Sequence, residues 1–528
     1  MQSINKQNII VLDGQNLKIE DINSLVANSK IKVSISASAL NSINKSRDFL
    51  EKEASNRIVY GVNTGFGPMA SYIINNKETI NLQENLIRSH AVGMGQPILP
   101  EYSLATMVVR LNTLIRGYSG VSEKLINQLE TFINYRILPV IPEHGAVGTS
   151  GDLVQLAHIA LSLIGEGKVF YKGKITTTQN VLKKLKIKPY RLKSKEGLAL
   201  INGTSAMSAI AALVYVDAQK VLNKAMQNGA FSIELVNGFN DSTSEKLHSL
   251  RPHKGQIAVA KILRQILSSS HLRRNRYYFS RHNGGQEEIP SQDVHQIPDS
   301  VQEIYSFRCI PQILGPVFDA CENARKIIEV EINSVTDNPI VDWENNTFIH
   351  GGNFHGDYIA STVDQLKSAC IKLTMLSERR INFFLNNNIN KHFPPFLNLR
   401  KPGLNLALQG LQFVATSTTA LSQSLAYPHH LHSISTNADN QDVVSMGTDA
   451  ALLAAKVIEN AYIVEAIELI TLTQAAEFLG APNKLSNSSK GLFKEVRKVF
   501  PKIDNDRVII DELDKVVQFL KKDENFAL

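Results

Sequence analysis

An apolar residue recurs every three or four positions along most of this chain, the spacing that places side chains on one face of an α-helix. Glycine, proline and short polar clusters separate the periodic segments and mark the turns between them. The pattern predicts helices over residues 78–90, 102–117, 121–135, 151–166, 204–228, 254–268, 300–334, 354–385, 408–426 and 443–479.

Two regions depart from helical periodicity. Within the first 57 residues or so, short apolar runs at 9–12 and 33–36 predict the strands of a small cap. A further run at 169–174 predicts the edge of a hairpin. The predicted fold class is therefore mainly α, with a small mixed N-terminal cap.

The segment 443–479 is apolar on most faces, and a helix of this kind is buried. Its isolated charges argue against a lipid environment, so we expect a long central helical bundle, shared between subunits. No linker-like composition divides the 528 residues. We therefore expect one body, consisting of an N-terminal part (1–200), a central bundle (201–480) and C-terminal helices (481–528).

The charge balance is mild, because 56 lysines and arginines against 49 acidic residues leave a net charge of +7. Such an excess helps to attract anionic ligands but does not by itself indicate a nucleic-acid partner. The three cysteines form no C-x-x-C pair and predict reduced thiols. The N-terminus lacks the apolar core of a signal peptide, and no uninterrupted apolar stretch reaches membrane-spanning length. We expect a cytoplasmic protein without a membrane partner.

Segment 268–300 has little periodicity and is rich in arginine and tyrosine. A basic, aromatic stretch is compatible with nucleic-acid binding. We favour a mobile surface loop, which is the commoner origin of such a composition. The residues in question are Arg273, Arg274, Arg276, Tyr277, Tyr278, Arg281, Gly284 and Gly285.

The most informative stretch for function is 144–153, His-Gly-Ala-Val-Gly-Thr-Ser-Gly-Asp-Leu. Because glycine has no side chain, the nitrogen of Gly151 can approach the carbonyl carbon of Thr149 and close a five-membered ring. Loss of water from Ser150 then leaves an exocyclic C=CH2 group, an electrophile that no ordinary side chain provides. The alternative interpretation is an ordinary helix start, with Ser150 as the capping hydroxyl and Asp152 in the first turn.

Six further segments carry polar or aromatic residues at turns or apparent helix starts. Each has an ordinary structural explanation when taken alone, since Asn-Gly and Asp-Asn-Pro are common turns. The loop at 59–67 also lacks the lysine of a P-loop and the spacing of a dinucleotide site. The segments are 59–67, 200–205, 305–312, 336–339, 351–356 and 440–442.

The histidines at 429, 430 and 432 suggest a metal site at first sight. Two of them are adjacent, and no nearby cysteine or carboxylate completes a convincing ligand set. We therefore expect no metal.

Taken together, the seven segments resemble the aromatic amino-acid ammonia-lyase and aminomutase family, which includes the histidine, phenylalanine and tyrosine ammonia-lyases. The resemblance runs from about residue 58 to 480, in the family's order, and is greatest to the bacterial histidine and tyrosine lyases. It implies a mostly helical homotetramer whose active sites are each assembled from three subunits. It also implies the autocatalytic cofactor MIO (4-methylidene-imidazole-5-one), formed here from Thr149, Ser150 and Gly151, where the family has Ala-Ser-Gly.

The resemblance also implies roles for individual residues. Tyr60 is the base that removes the β-proton, and Arg308 binds the substrate carboxylate in bidentate fashion. Tyr305 and Asn202 orient the amino group and the cofactor. The residues implied to pack near or hydrogen-bond within the site are Phe354 and Gln441.

Substrate choice depends, by the same resemblance, on Ser89 and His90, which are implied to face the substrate ring. A histidine there can hydrogen-bond an imidazole or a phenol. Many relatives carry a glutamate at the position of Leu421, and in histidine lyases that carboxylate approaches the imidazole.

Because the glutamate is missing here, we expect conversion of tyrosine to 4-coumarate. Histidine ammonia-lyase, aromatic aminomutase and an inactive or nucleic-acid-binding homologue remain as alternatives.

Overall fold

The computed structural model describes residues 8–281, 293–294, 296 and 300–522. Within these ranges the chain is dominated by α-helices, which confirms the predicted fold class. The helices of the first half are α1 (Ile19–Ala27), α2 (Ala37–Glu53), α3 (Thr79–His90), α4 (Pro100–Leu114), α5 (Glu123–Asn134), α6 (Leu153–Leu163), α7 (Thr178–Leu185), α8 (Glu196–Ile201), α9 (Ser205–Leu235), α10 (Glu245–Ser249) and α11 (Lys254–Leu267).

The helices of the second half include three of 22 residues or more. They are α12 (Arg276–Arg281), α13 (Tyr305–Arg308), α14 (Ile310–Glu331), α15 (Asp357–Leu385), α16 (Asn387–Asn390), α17 (Gln409–Ser424), α18 (Gly447–Phe478), α19 (Asn487–Val499) and α20 (Ile510–Lys522).

The strands are short and form small separate sheets. Strands β1 (Ile9–Leu12) and β2 (Lys32–Ile35) pair in parallel, as part of the predicted N-terminal cap. The other strands, all in antiparallel pairs, are β3 (Met94–Pro97), β4 (Leu138–Pro139), β5 (Pro142–His144), β6 (Lys168–Tyr171), β7 (Lys174–Thr177), β8 (Ile340–Asp342) and β9 (Thr347–Ile349).

The chain divides into two compact units. The first unit comprises Met1–Val216, Asn323–Asp364 and Pro428–Ala454. The second comprises Asp217–Glu322, Gln365–Tyr427 and Ala455–Leu528. The expected division into 1–200, 201–480 and 481–528 stays a prediction.

Helix α5 shows how the sequence specifies these elements. The hydroxyl of Ser122 accepts a hydrogen bond from the Leu125 N–H at 3.4 Å and caps the helix N-terminus. The apolar side chains that follow at helical spacing are all buried: Leu125, Ile126, Leu129, Phe132 and Ile133. The apolar periodicity and the capping residue therefore indicate the same helix.

The structure differs from the predicted elements in the cap, at 300–334 and before the longest helix, among other places. The cap also contains α1 and α2, which our strand assignment did not include. The predicted helix at 300–334 is instead α13 and α14, and α14 has Pro311 in its first turn, where the missing N–H is tolerated. The longest helix, α18, begins at Gly447, so residues 440–442 precede it in a loop rather than open it.

The arginine-rich segment is also more ordered than the predicted loop, since α12 lies within it. The guanidinium groups of Arg274 and Arg276 lie 4.0 and 3.5 Å from the ring centroid of Phe239. They also pair with Glu303 at 3.4 Å and Asp241 at 2.8 Å, so much of their charge is already compensated. The glycines of this segment, at 284 and 285, lie outside the described residues.

One helix in the described ranges, α9, is long and apolar enough to cross a membrane by length and composition alone. Its most apolar window is 78% buried within the protein.

A cluster of buried charges lies within the second unit. Arg380 forms a bidentate ion pair with Glu468 through its Nε and Nη2. The same Nη2 also donates a hydrogen bond to the Ser377 hydroxyl at 3.0 Å. Glu465 accepts hydrogen bonds from the hydroxyl of Ser377 and, at 2.8 Å, from Asn228. Burial, followed by repulsion from the Glu468 carboxylate, raises the pKa of Glu465 to about 8.

This raised pKa predicts a pH-dependent stability. The folded protein keeps a proton on Glu465 that the unfolded chain releases above its ordinary pKa of 4.5. The free energy of unfolding should therefore fall by about 1.4 kcal/mol per pH unit as the pH rises from about 5 to about 8. Glu465→Gln, which stays neutral, should lose this part of the pH dependence in urea unfolding experiments. The exposed Glu495→Gln serves as the control, and an unchanged pH slope in Glu465→Gln would contradict the assignment.

Candidate active site

Residues 149–151 form a tight turn in the first unit. Ser150 has a φ of 62° and Gly151 a φ of 79°, both in the left-handed region that few residues other than glycine adopt. Gly148 and Gly151 form an antiparallel bridge across the turn. Helix α6 begins later, at Leu153, with no side-chain cap from its N-cap residue. Ser150 is therefore not a helix cap, and that alternative interpretation is wrong.

Backbone hydrogen bonds to Gly203 hold the turn in place. The Gly203 N–H donates to the Ser150 carbonyl oxygen at 3.1 Å, and the Asp152 N–H donates to the Gly203 carbonyl at 2.8 Å. The side-chain amide of Asn202 donates to the same Ser150 oxygen at 3.4 Å. A Cβ atom on Gly151 would overlap the backbone of Gly203, so this pairing requires glycine.

The carboxylate of Asp152 ties the turn to two helices. Its Oδ2 accepts from the N–H groups of Ala206 and Met207 at 2.8 and 2.9 Å, so it caps α9 rather than its own helix. Its Oδ1 accepts from the hydroxyl of Thr448 at 2.5 Å. Burial raises the pKa of Asp152 to about 6, although these three donors favour the ionised form.

A cavity of about 290 Å³ lies beside the turn. It is lined by fifteen residues of the first unit, which come from α3, α6, α8 and the residue after it, the segment 60–69, the turn at 149–151 and the loop before α18. Among them are six of the predicted site residues: Tyr60, Ser89, His90, Ser150, Asn202 and Gln441. Residues far apart in sequence thus meet around one small cavity.

Tyr60 lies in the loop at 59–67. Its phenolic oxygen accepts a hydrogen bond from the Gly67 N–H at 3.0 Å. Its ring meets Phe66 edge to face, with the centroids 6.2 Å apart. This hydrogen bond and ring contact fix the position of the phenol oxygen within the loop.

His90 is held by the last turn of α3. Its Nδ1 lies 2.9 Å from the Leu86 carbonyl oxygen and 3.0 Å from the Ser89 hydroxyl. Because a carbonyl oxygen only accepts hydrogen bonds, Nδ1 carries the proton in this arrangement. In the neutral ring, Nε2 is then an acceptor.

Gln441 and Asn202 approach Ser150 from two other segments. The Gln441 Nε2 lies 3.3 Å from the Ser150 hydroxyl, from the loop in which Thr436 and Gln441 form a bridge. Asn202 is 3% exposed, and its Oδ1 has no hydrogen-bond partner within the described chain. A buried acceptor of this kind is satisfied by a donor bound in the cavity.

Five predicted site residues do not line this cavity: Thr149 and Gly151 belong to the turn beside it, and the other three lie elsewhere. Phe354 lies in the turn before α15, in the first unit. Tyr305 and Arg308 form the ends of the short helix α13, in the second unit. The Arg308 guanidinium lies 4.9 Å from the ring centroid of Tyr305, and its Nη1 donates to Gln302. The roles of all three stay predictions.

Sequence reasoning missed several residues that line the cavity. Leu82, Asn85 and Leu86 share one face of α3 with the predicted Ser89, at the spacing of three and four, a signal that would have extended the site along the helix. Asn437 also lines the cavity, from the loop before α18. That loop has no periodicity, and the segment singled out within it, 440–442, does not include Asn437.

The residues at 149–151 fit the expected cofactor. The turn brings the chain back on itself, as ring closure between Gly151 and Thr149 requires, and glycine is the residue that its pairing tolerates. The carbonyl oxygen of Ser150 would be conjugated with the methylidene. It accepts hydrogen bonds from the Gly203 N–H and from the side-chain amide of Asn202. Such donors draw electron density towards the carbonyl oxygen and so make the conjugated methylidene more electrophilic.

The histidines considered for a metal have other partners. His430 Nδ1 lies 2.7 Å from Asp364, and His429 Nε2 lies 3.6 Å from Asp449. In the part of the chain that the structure describes, no group of three or more histidines, cysteines and carboxylates is arranged to hold a metal ion.

Comparison with known proteins identifies the family. The family model for aromatic amino acid lyases matches residues 17–498. A histidine ammonia-lyase of Staphylococcus aureus (strain JH9) is 40% identical over 516 residues, covering 97% of this chain and 98% of the relative. This chain belongs to the aromatic amino acid lyase family, which confirms the resemblance that its seven sequence segments indicate.

Solved structures agree with this assignment. The tyrosine aminomutase of Streptomyces globisporus superposes with a TM-score of 0.93 at 35% identity, covering 97% of this chain and 96% of the other. The histidine ammonia-lyase of Trypanosoma cruzi gives a TM-score of 0.85 at 33% identity, covering 97% and 93%.

The geometry of the turn predicts a covalent change that intact mass can detect. The protein should be lighter than its sequence by two waters, and Ser150→Ala should lack the methylidene, remain folded and be inactive. Thr149→Ala is the control, because only the carbonyl of residue 149 joins the ring, and it should keep both the mass loss and the activity. Near-normal turnover by Ser150→Ala would falsify the assignment of the cofactor.

Proposed function

We propose that this protein is an MIO-dependent ammonia-lyase that eliminates ammonia from an aromatic L-amino acid to give the trans-α,β-unsaturated acid. The observation that carries the proposal is the turn at Ser150, whose left-handed conformation and glycine pairing suit ring closure, beside a cavity that also holds Tyr60. Membership of the aromatic amino acid lyase family supports the same reaction.

The chemical difficulty is to remove a weakly acidic β-proton while expelling a poor leaving group. When formed, MIO supplies an electrophile for the substrate amino group, which makes the nitrogen a better leaving group. Tyr60 takes the β-proton, and the Gly67 N–H, at 3.0 Å, holds in place the phenol oxygen that does so. Asn202 Oδ1, buried and without a partner in the described chain, accepts from the substrate ammonium.

The carboxylate of the substrate is bound by Arg308. Its guanidinium stacks on Tyr305 and keeps a buried Nε without a partner in the described ranges, so it has donor capacity left for a carboxylate. We propose that Tyr305 and Arg308 reach the site in a homotetramer, as the family resemblance implies. Phe354 and Gln441 complete the surroundings of the cofactor.

The substrate we propose is histidine, converted to urocanate. The 40% identical relative, matched over almost its whole length, is a histidine ammonia-lyase, and this supports histidine better than our expectation of tyrosine. The His90 side chain agrees, since its Nε2 is an acceptor and an imidazole N–H is a donor.

Tyrosine remains the second candidate because of Leu421. This residue is half-exposed on α17, at the position where histidine lyases carry the glutamate that approaches the imidazole. A phenol O–H would satisfy His90 Nε2 equally well. An aromatic aminomutase is a further alternative, since the Streptomyces globisporus neighbour is one, and product analysis separates it from a lyase by the appearance of a β-amino acid.

A substrate panel tests this assignment. We expect kcat/KM for histidine to exceed that for tyrosine and phenylalanine, with phenylalanine the poorest because it leaves His90 unpaired, at a cost of about 1–3 kcal/mol. Leu421→Glu should improve histidine further, and His90→Phe should shift preference towards phenylalanine. Ultraviolet absorbance of urocanate, 4-coumarate and cinnamate measures all three. A tenfold preference of the wild-type protein for tyrosine would contradict histidine as the substrate and support tyrosine instead.

The role of Tyr60 is tested separately. Tyr60→Phe removes one oxygen and should lower kcat by about 100-fold to 10,000-fold, the usual contribution of a general base, or by more if the phenol also organises its loop. Substrate binding should survive, since Tyr60 contributes little to ring or carboxylate recognition. If the variant keeps a tenth of the activity, another group is the base.

A further inference from the structure

Gln83 is a fully buried polar residue of α3 that lies outside the cavity. Its neighbours along the helix, Leu82, Asn85, Leu86 and Ser89, line the cavity, whereas Gln83 points into the protein and is 0% exposed. Burying an amide is costly unless its groups are hydrogen-bonded, so the partners of such a residue report its role.

The two ends of the Gln83 amide bond two different backbone segments. Its Nε2 donates to the Gly61 carbonyl oxygen at 3.0 Å, and its Oε1 accepts from the Leu198 N–H at 2.9 Å. The Leu198 N–H belongs to the first turn of α8, where a helix has no internal acceptor for it. Gln83 therefore joins the loop at 59–67 to the start of α8.

Both segments carry residues of the site. Gly61 follows Tyr60 directly, and its own N–H donates to the Thr64 hydroxyl at 3.0 Å. Helix α8 leads into Asn202, whose N–H donates to the Leu198 carbonyl at 2.9 Å. A Cβ atom on Gly61, which has a φ of 64°, would lie 2.5 Å from the Leu198 side chain, so loop and helix are in close contact here.

We propose that Gln83 is a positioning residue that keeps Tyr60 at a fixed distance and orientation relative to Asn202 and Ser150. The inference rests on the proposed role of Tyr60 as the base. Without the amide, the Gly61 carbonyl and the Leu198 N–H lose their partner, and the loop is free to move away from α8. The proton transfer then suffers while the residues at the ring and the turn stay in place.

The experiment compares Gln83→Met, which keeps the size but removes the amide, with Gln83→Asn, which keeps a shorter amide. We expect kcat to fall about tenfold or more in Gln83→Met and less in Gln83→Asn, with KM within about threefold of wild type. Hydrogen exchange at residues 59–67 should be faster in both variants. The mass loss of two waters should persist, because Ser150 and its partners are unchanged.

Gln474 provides the matched control, since it is also a fully buried glutamine, in the second unit, that bonds the Ile503 backbone through both ends of its amide. Gln474→Met should lower stability but not kcat. An equal loss of kcat in both methionine variants, or a kcat for Gln83→Met within twofold of wild type, overturns the inference. If Gln83→Met does not fold, Gln83→Asn against Gln474→Asn decides by the same criteria. Tyr60→Phe, measured alongside, shows whether the proposed base itself has failed.

Discussion

The site depends on the backbone pairing between Gly203 and the turn at 149–151. Gly203 is packed on both sides: one edge pairs with Ser150 and Asp152, and a Cβ atom on the other would overlap Arg110 and Thr336. Its φ of 143° is open to glycine and not to other residues. A serine in a left-handed conformation costs about 1–3 kcal/mol and persists where its surroundings fix it. The pairing to Gly203 supplies that constraint.

Behind this pairing lies a set of buried charges that includes a residue of the turn at 336–339. Lys195 and Asp337 form a fully buried ion pair of 2.6 Å, and Asp337 belongs to the turn at 336–339. Burial lowers the pKa of Arg110 to about 10, although the charges of Asp337 and Asp152 oppose the shift. Buried ions are tolerated when they are paired in this way, and removing one partner leaves the other uncompensated. The turn that carries Asp337 is thus part of the support for Gly203.

The sequence predicted the elements whose signal is local. Periodicity located the long helices, and the glycine spacing around Ser150 pointed to the turn, because both follow from the backbone preferences of consecutive residues. The loop before α18 was placed wrongly, since a run of polar residues ahead of an apolar segment looks the same whether the helix begins at once or at Gly447. Gln83 was missed because its partners, Gly61 and Leu198, are distant in sequence and are backbone groups that carry no residue signal.

Substrate choice was the other point at which residues alone were insufficient. In the proposed site, the Nε2 of a neutral His90 ring would accept a hydrogen bond from an imidazole or a phenol alike and would find no donor on a bare phenyl ring. The expectation of tyrosine therefore rested on one position, Leu421, where the missing carboxylate removes a favourable contact rather than creating an unfavourable one. Loss of an attraction weakens histidine binding without excluding it, whereas exclusion requires a clash or a buried group left unpaired. For the proposed function we therefore give a 40% identical histidine lyase more weight than the single leucine, and we expect the shape of the cavity face formed by Leu82, Asn85 and Leu86 to discriminate between imidazole and phenol.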